Sequence, residues 1–356
     1  MKIIFEPISS DENQYVRIFV DIIKKNNLQA YSLNYALMRP WLLARIKVVH
    51  LNWFDNIDGK NNMEVFVNFV KRLIQLSILK LFRKKIIWTM HNRFPHQPEG
   101  KFFKKRLLSH LIKKSSHIVI HSKYSKSLLL ESYSIDSNKI YYIPHPNYIG
   151  EYETNIVPNI AEEDKGKELR LLFIGAVKPY KNVELLIDVV SALKGCKIQL
   201  TLAGKAKDSE YEQYITAYAS KLSSVVLELD FIPDHAIVGL IKQADLVVLP
   251  YDLKSSLNSG TVILAFSCAR TVVCPVIGTI DDLPEKDKVI TYHYKVDNDK
   301  DHLRQLNNAI SKAYKLFQAD EMIFKKWGED MFKQVQKHNS KELCAEMLMT
   351  LYKQYL

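Results

Sequence analysis

Apolar residues along this chain fall in short β-branched runs, separated by longer stretches in which they recur every three or four positions. In the first part, the runs Lys2 to Glu6, Ile46 to Leu51, Lys85 to Met90, His117 to His121 and Lys139 to Ile143 predict strands. Between them, Tyr15 to Lys25, Met63 to Phe82, Lys101 to Lys114 and Ser125 to Ser132 carry the helical period. Alternation of this kind predicts a parallel α/β sheet. Residues 151–168 are acidic and polar without either period and read as a linker. The alternation then resumes, with strands at Arg170 to Ile174, Lys197 to Ala203, Val225 to Leu229, Asp245 to Pro250 and Thr271 to Pro275. Helices are expected at Val183 to Leu193, Ser209 to Leu222, Asp234 to Ala244 and Gly260 to Cys268, completing a second doubly wound domain. The domains expected are 1–150, 169–323 and a helical tail, 324–356, free to pack anywhere, including back across the first domain.

The length of 356 residues exceeds what one hydrophobic core usually serves, which agrees with two domains. No secretory signal opens the chain, and no run of about 18 apolar residues is free of charge, so the protein is expected to stay in the cytoplasm. Cys196, Cys268, Cys274 and Cys344 fall inside apolar elements without CxxC spacing, as reduced core thiols do. Net charge is lopsided. The first 150 residues hold 24 Lys and Arg against 10 Asp and Glu, a balance of +14; the remaining 206 hold 26 against 29, a balance of −3. Within the helix Lys101 to Lys114, basic residues alternate with Phe102, Phe103, Leu107, Leu108, Leu111 and Ile112, which suits an anionic lipid surface or equally a solvated basic face. Nucleic acid is not expected, since no recognised nucleic-acid module accompanies the charge.

Candidate chemistry concentrates at strand ends. The strand ending at Pro250 runs into a polar loop and a helix opening at Asn258-Ser259-Gly260-Thr261, where free N–H groups and the positive end of the helix dipole suit an anion such as a diphosphate. An ordinary N-capped helix is the plainer account of the same residues. In the first domain, His50, His91, His121 and His145 each follow a predicted strand at the edge where ligands of such sheets bind. No HExxH or close His pair is present, so no metal site is expected. Asp297, Asp299 and Asp301 imitate the first ligands of a calcium loop but lack its later Gly and Glu, and read as a polar surface turn.

Phe173-Ile174-Gly175-Ala176-Val177-Lys178-Pro179-Tyr180-Lys181-Asn182, then Leu202-Ala203-Gly204, the strand ending Val248-Leu249-Pro250-Tyr251 and the Ser259-Gly260-Thr261 helix follow one another in an order that resembles the large retaining nucleotide-sugar family of GT-B glycosyltransferases. The resemblance implies two Rossmann-like, doubly wound α/β domains facing a cleft, the second holding the nucleotide sugar. It implies that Lys181 meets the diphosphate beside Gly175; the family's usual Arg is here Ala176, with Lys178 as a substitute cation. Gly204 and Phe231-Ile232-Pro233 would lie against the nucleoside, while Tyr251, Asp252, Ser255, Ser256 and Asn258 would take the sugar hydroxyls. The family's paired glutamates are missing. The second falls on Ala265 and the first in Lys254 to Asn258, which holds no acid, so the chain is a divergent member and retention or inversion stays open.

His91, in Thr89-Met90-His91-Asn92, matches the family's active-site histidine region. Asp11 and Glu12 are the acids nearest the predicted crevice, and one of them or His91 would accept the acceptor proton in an inverting enzyme. A helix cap is the alternative role for Asp11.

The resulting expectation is a metal-independent sugar transfer, without a cofactor, from a UDP- or GDP-linked donor. The acceptor would be a hydroxyl on a lipid-linked or polysaccharide molecule, at the inner face of a membrane during capsule, exopolysaccharide or lipopolysaccharide assembly. A nucleotide-sugar epimerase of the same fold and a noncatalytic anionic-lipid-binding protein are the competing readings.

Overall fold

A computed structural model describes residues 1–10, 13–57, 59, 61–93, 100–152 and 168–356. The chain divides into two compact units, residues 1–146 with 339–356, and residues 147–338.

In the first unit, β1 (Lys2–Glu6), α1 (Gln14–Lys25), β2 (Gln29–Tyr31), α2 (Leu33–Leu37), α3 (Pro40–Arg45), β3 (Val48–Asn52), α4 (Asn62–Leu81), β4 (Lys85–Thr89), α5 (Lys101–Lys114), β5 (His117–Ile120), α6 (Lys123–Ser132) and β6 (Ile140–Tyr142) follow one another. The strands form one parallel sheet in the order β2-β1-β3-β4-β5-β6. The order reverses between β1 and β3, the point where open α/β sheets leave a crevice beyond their carboxyl ends. Every residue of β3 is buried, as a strand covered on both faces requires. Helix α1 is amphipathic, its Tyr15, Ile18, Phe19, Ile22 and Ile23 facing inward, and Asn13 caps its start by accepting from the Tyr15 N–H.

The second unit runs β7 (Leu169–Ile174), α7 (Val183–Ala192), β8 (Ile198–Ala203), α8 (Ser209–Ala219), β9 (Val225–Glu228), α9 (Asp234–Gln243), β10 (Leu246–Val248), α10 (Gly260–Ser267), β11 (Thr271–Pro275), α11 (Gly278–Asp281), β12 (Ile290–Tyr292), α12 (Asp299–Ala319) and α13 (Ile323–His338). Its sheet is also parallel, in the order β12-β11-β10-β7-β8-β9. Here the reversal lies between β7 and β10, so the loops after these two strands frame the crevice. The last helix, α14 (Lys341–Lys353), belongs to the first unit. Its Cys344, Leu348, Leu351 and Tyr352 are fully buried, and the Tyr352 hydroxyl is 2.7 Å from His50 Nδ1.

Two expectations change. The segment Asp297 to Asp301 divides: Asp297 is an exposed turn residue at φ 68°, as expected, but Asp299 and Asp301 open α12, a 21-residue helix, which Asn298 caps by accepting from the Asp301 N–H while Asp301 accepts from the Lys295 N–H and from Arg304. The apolar side of α5 is not free for lipid, because Leu107, Leu108, Leu111 and Ile112 are buried in the core, leaving Phe102 exposed. The four cysteines are free thiols, and burial raises those of Cys268, Cys274 and Cys344, Cys268 to about 11.

Candidate active site

In the second unit the chain leaves β7 through Gly175, at φ 129°, and folds into a single turn, Pro179–Lys181, before α7. Asn182 follows at φ 55° and donates from its side chain to the Pro250 carbonyl at 2.8 Å, tying this turn to the end of β10. That tie places the Lys181 ammonium 4.3 Å from the centre of the Tyr251 ring and 5.3 Å from that of Tyr180. A cation between two ring faces gains from their quadrupoles but loses water. Burial therefore lowers the Lys181 pKa to about 8, with Cys274 pulling it up and Lys178 pushing it further down.

Tyr251 joins this cation to the start of α10. Its hydroxyl is 2.7 Å from Ser259 Oγ, and Ser259 caps the helix by accepting from the Val262 N–H at 3.1 Å. The Ser259 N–H donates to Thr279 Oγ1 at 2.8 Å. The N–H groups of Gly260 and Thr261 precede the first intrahelical bond, from Ile263 to the Ser259 carbonyl, so they stand at the positive end of the helix dipole. Lys181, Tyr251, Ser259, Gly260 and Thr261 thus form one constellation of a half-buried cation and helix N–H groups, chemically suited to a diphosphate.

Other residues singled out in this unit sit around it. Lys178 is exposed on the same turn. Gly204, at φ 137°, is fixed by packing, since a side chain there would meet the Gly175 carbonyl oxygen at 2.1 Å; Gly175 itself faces open space. Phe231 is exposed and Ile232 and Pro233 half-buried beyond β9, two strands along the sheet from β7, or about 10 Å. The loop with Ser256 and Asn258 is folded on Asp252: the Ser256 N–H donates to the Asp252 carbonyl at 2.9 Å, and Ser255 Oγ to Asp252 Oδ2 at 3.3 Å. Ala265 is buried.

Tyr294, which no local pattern singles out, braces that loop. Its hydroxyl donates to the Tyr251 carbonyl at 3.1 Å and accepts from the Leu253 N–H at 2.8 Å. His302 of α12 lies flat on it, with ring centres 3.8 Å apart, and burial lowers the His302 pKa to about 4.

In the first unit the strand-end histidines gather around Tyr15. Its ring meets those of His91 at 5.0 Å, His145 at 5.2 Å and His121 at 5.5 Å. His121 donates from Nδ1 to the Ile143 carbonyl at 2.8 Å, leaving Nε2 to accept from the Tyr15 hydroxyl at 3.1 Å. His145 donates from Nδ1 to the Pro146 carbonyl at 2.9 Å. Burial lowers the pKa of His121 to about 4 and of His145 to about 3, with His121 adding to the effect on His145. His50 is set apart, inside β3 between Tyr352 and Thr89, and burial lowers it to about 3.

His91 is half-buried at the end of β4 and stacks on Trp53 with ring centres 3.8 Å apart. The Asn52 side chain donates to the Glu6 carbonyl at 3.3 Å, which turns its oxygen toward His91 Nε2 at 3.1 Å. Nε2 therefore carries the hydrogen and Nδ1 keeps a lone pair. Burial first, then the neighbouring His121, His145 and His50, hold its pKa well below 6.5, so the ring is a neutral base. Trp53 stands at φ 47°, a left-handed conformation costing about 1–3 kcal/mol, kept where it presents its ring to His91. Asp11 and Glu12 lie outside the described residues, as do Pro95, His96 and Pro98 of the loop after His91. Among the described residues no group of three or more His, Cys, Asp or Glu side chains is arranged to hold a metal ion.

Both units have the Rossmann-like order, and the chain has the GT-B fold. Residues 168–314, which contain the whole Lys181 constellation, match the family described as Glycosyl transferases group 1. Among known proteins, the chain is similar to the GDP-mannose:glycolipid 4-beta-D-mannosyltransferase of Xanthomonas campestris pv. campestris, at 26% identity over 239 residues; the match covers 67% of this chain and 64% of the relative's length. Among solved structures it is similar to Anabaena Alr3699/HepE in complex with UDP, at a TM-score of 0.68 and 14% identity, over 99% of this chain and 100% of the other. An Escherichia coli structure described as trehalose-6-phosphate bound with UDP-2-fluoro glucose gives a TM-score of 0.67 at 10% identity, over 100% and 99% of the two chains.

Proposed function

We propose that the protein transfers mannose from GDP-mannose to a hydroxyl of a lipid-linked or glycan acceptor in surface-glycan assembly, working in the cytoplasm at the inner membrane face. The observation that carries this reading is the half-buried Lys181, its ammonium over Tyr251, at the mouth of a helix capped by Ser259, inside the segment that matches the glycosyltransferase family. Departure of a nucleoside diphosphate concentrates negative charge on its phosphates. Lys181, Lys178 and the first N–H groups of α10 meet that charge, so the reaction requires no divalent cation. Gly175 and Gly204 supply the close-packed turn around the phosphates, Phe231, Ile232 and Pro233 the apolar edge for the base, and Ser256 and Asn258 the polar groups for the sugar.

The choice of mannose, and of GDP over UDP, follows the mannosyltransferase relative. The mannosyl group of GDP-mannose is α-linked, so a β-mannoside demands inversion and a base for the acceptor proton. His91 is that base, holding a lone pair on Nδ1 at neutral pH; Asp11 and Glu12 are the other candidates.

Incubating GDP-mannose with a synthetic polyprenyl-diphosphate-linked oligosaccharide in EDTA tests the reading. Acceptor-dependent release of GDP with a β-mannoside product is expected. An isomerised sugar formed without acceptor would instead identify an epimerase, and activity abolished by EDTA and restored by a divalent cation would remove the metal-free scheme.

A further inference from the structure

Helix α4 is apolar on two sides. Val65, Phe69, Leu76 and Leu79 face the core, yet Met63, Val67, Ile74 and Leu81 are 69%, 57%, 55% and 79% exposed. At about 100° per residue these four fall within about 40° of arc, a single line along the outer side of a helix of about 30 Å. Exposed apolar residues scattered singly need no explanation, but four on one side of a helix, with half-buried Val70 and Ile78 between them, mark a surface made to be covered.

The line widens at its start. Phe66 is also exposed and rests against Phe103 of α5, ring centres 5.3 Å apart, and Phe102 beside it is 69% exposed. Charge then narrows the choice of cover. Lys71 and Lys80 flank the line on α4, and Lys101, Lys105 and Arg106 are exposed on the adjoining turns of α5, in the half of the chain with a balance of +14. An apolar stripe edged by lysine and arginine fits a sheet of acyl chains beneath anionic headgroups, with the long basic side chains reaching the phosphates. No helix among the described residues is long and apolar enough to cross a membrane, and α4 has packed its other side into the core, so it would lie along the surface.

We infer that the outer face of α4, with Phe102 of α5, is a docking surface for an anionic lipid bilayer. This placement is independent of the sugar-transfer reading. It gives that reading a physical route to a lipid-linked acceptor, and it moves the membrane contact from the apolar side of α5 to α4.

Flotation with vesicles of phosphatidylcholine alone, and of phosphatidylcholine mixed with phosphatidylglycerol, tests it on the full chain. The native protein is expected to float with the anionic vesicles only and to be released by high salt. Ile74→Glu with Leu81→Glu, both at exposed positions, should reduce binding about tenfold or more while the far-ultraviolet spectrum and the thermal shift caused by GDP stay as in the native protein. Replacing Lys101, Lys105 and Arg106 by Gln should reduce it by a similar factor, since each basic residue near the surface contributes comparably to a buried methylene. Three results would overturn the inference: no flotation of the native protein, flotation unchanged in the Glu variant, or a concentration-dependent dimer in sedimentation that the Glu variant abolishes. Failure of GDP to shift any of these proteins would count against the donor site and leave the membrane surface standing.

Discussion

Lys181, as the proposed partner of the diphosphate, would bind an anion best while it is charged, and its own desolvation works against that charge. With a folded pKa of about 8 against an ordinary 10.5, the ammonium costs stability below pH 8. Between about 8 and 10.5 the unfolded chain binds more protons than the folded one, so stability rises with pH in that window. Anion binding runs the other way: above about pH 8 the site must take up a proton to bind, and GDP affinity should fall by up to about tenfold per pH unit. Titration calorimetry from pH 7 to 10 checks this, and a flat profile would detach Lys181 from the phosphates. At His91 the tautomer depends on Asn52. Asn52→Asp sets a carboxylate against Nε2, favours the imidazolium, and is expected to move the acid limb of kcat/KM upward; Asn52→Ala should lower kcat with little change in donor KM. An acid limb unmoved by the Asp variant would show that another group takes the proton. Lys181 and the Ser259 helix were readable from local order, since a strand, a Gly turn and a lysine are consecutive in the chain. Asn52, Trp53 and Tyr15 were not, because their value arises only when the sheet sets β1, β3 and β4 side by side.

Elements with dense apolar runs or a full apolar stripe, such as β7, β11, α1 and α7, declare themselves in sequence. Helix α12 does not. Its buried face is His302, Leu306, Ala309, Ile310, Ala313 and Phe317, in which small and polar residues interrupt the apolar signal, and its start carries an aspartate pattern that imitates a turn. Strand β12, three residues long, gives too little pattern to be seen. Helix α14 was visible as a helix but not by its partner. Tyr352 fills the space beside His50, so Tyr352→Ala is expected to cost about 3–5 kcal/mol in chemical denaturation, as for other large aromatics removed from a core. Tyr352→Phe keeps the ring and leaves His50 Nδ1 without its partner, a loss of about 1–3 kcal/mol. Wild-type stability in both variants would mean that α14 is dispensable to its unit.

At the scale of the whole molecule, charge and function separate along the chain. The first unit carries the whole excess of basic charge and a group of neutral imidazoles, and the second carries the constellation proposed to bind an anion. His50, His91, His121 and His145 all have pKa values depressed by burial, so the unfolded chain binds more protons than the folded one below about pH 6.5. Their contribution is present above that pH and is lost on acidification, at up to about 1.4 kcal/mol per pH unit for each ring. A melting temperature falling steeply from pH 6.5 to 5 is the expected result, and one that stays level would mean that these rings are hydrated. The central claim is that a nucleoside diphosphate sits between Lys181 and the first turn of α10. Calorimetric titration of GDP into the native protein and Lys181→Ala tests it most directly. The account predicts saturable binding to the native protein and at least about tenfold weaker binding to a variant that melts normally; equal affinity in the two, or no binding to either, would contradict it.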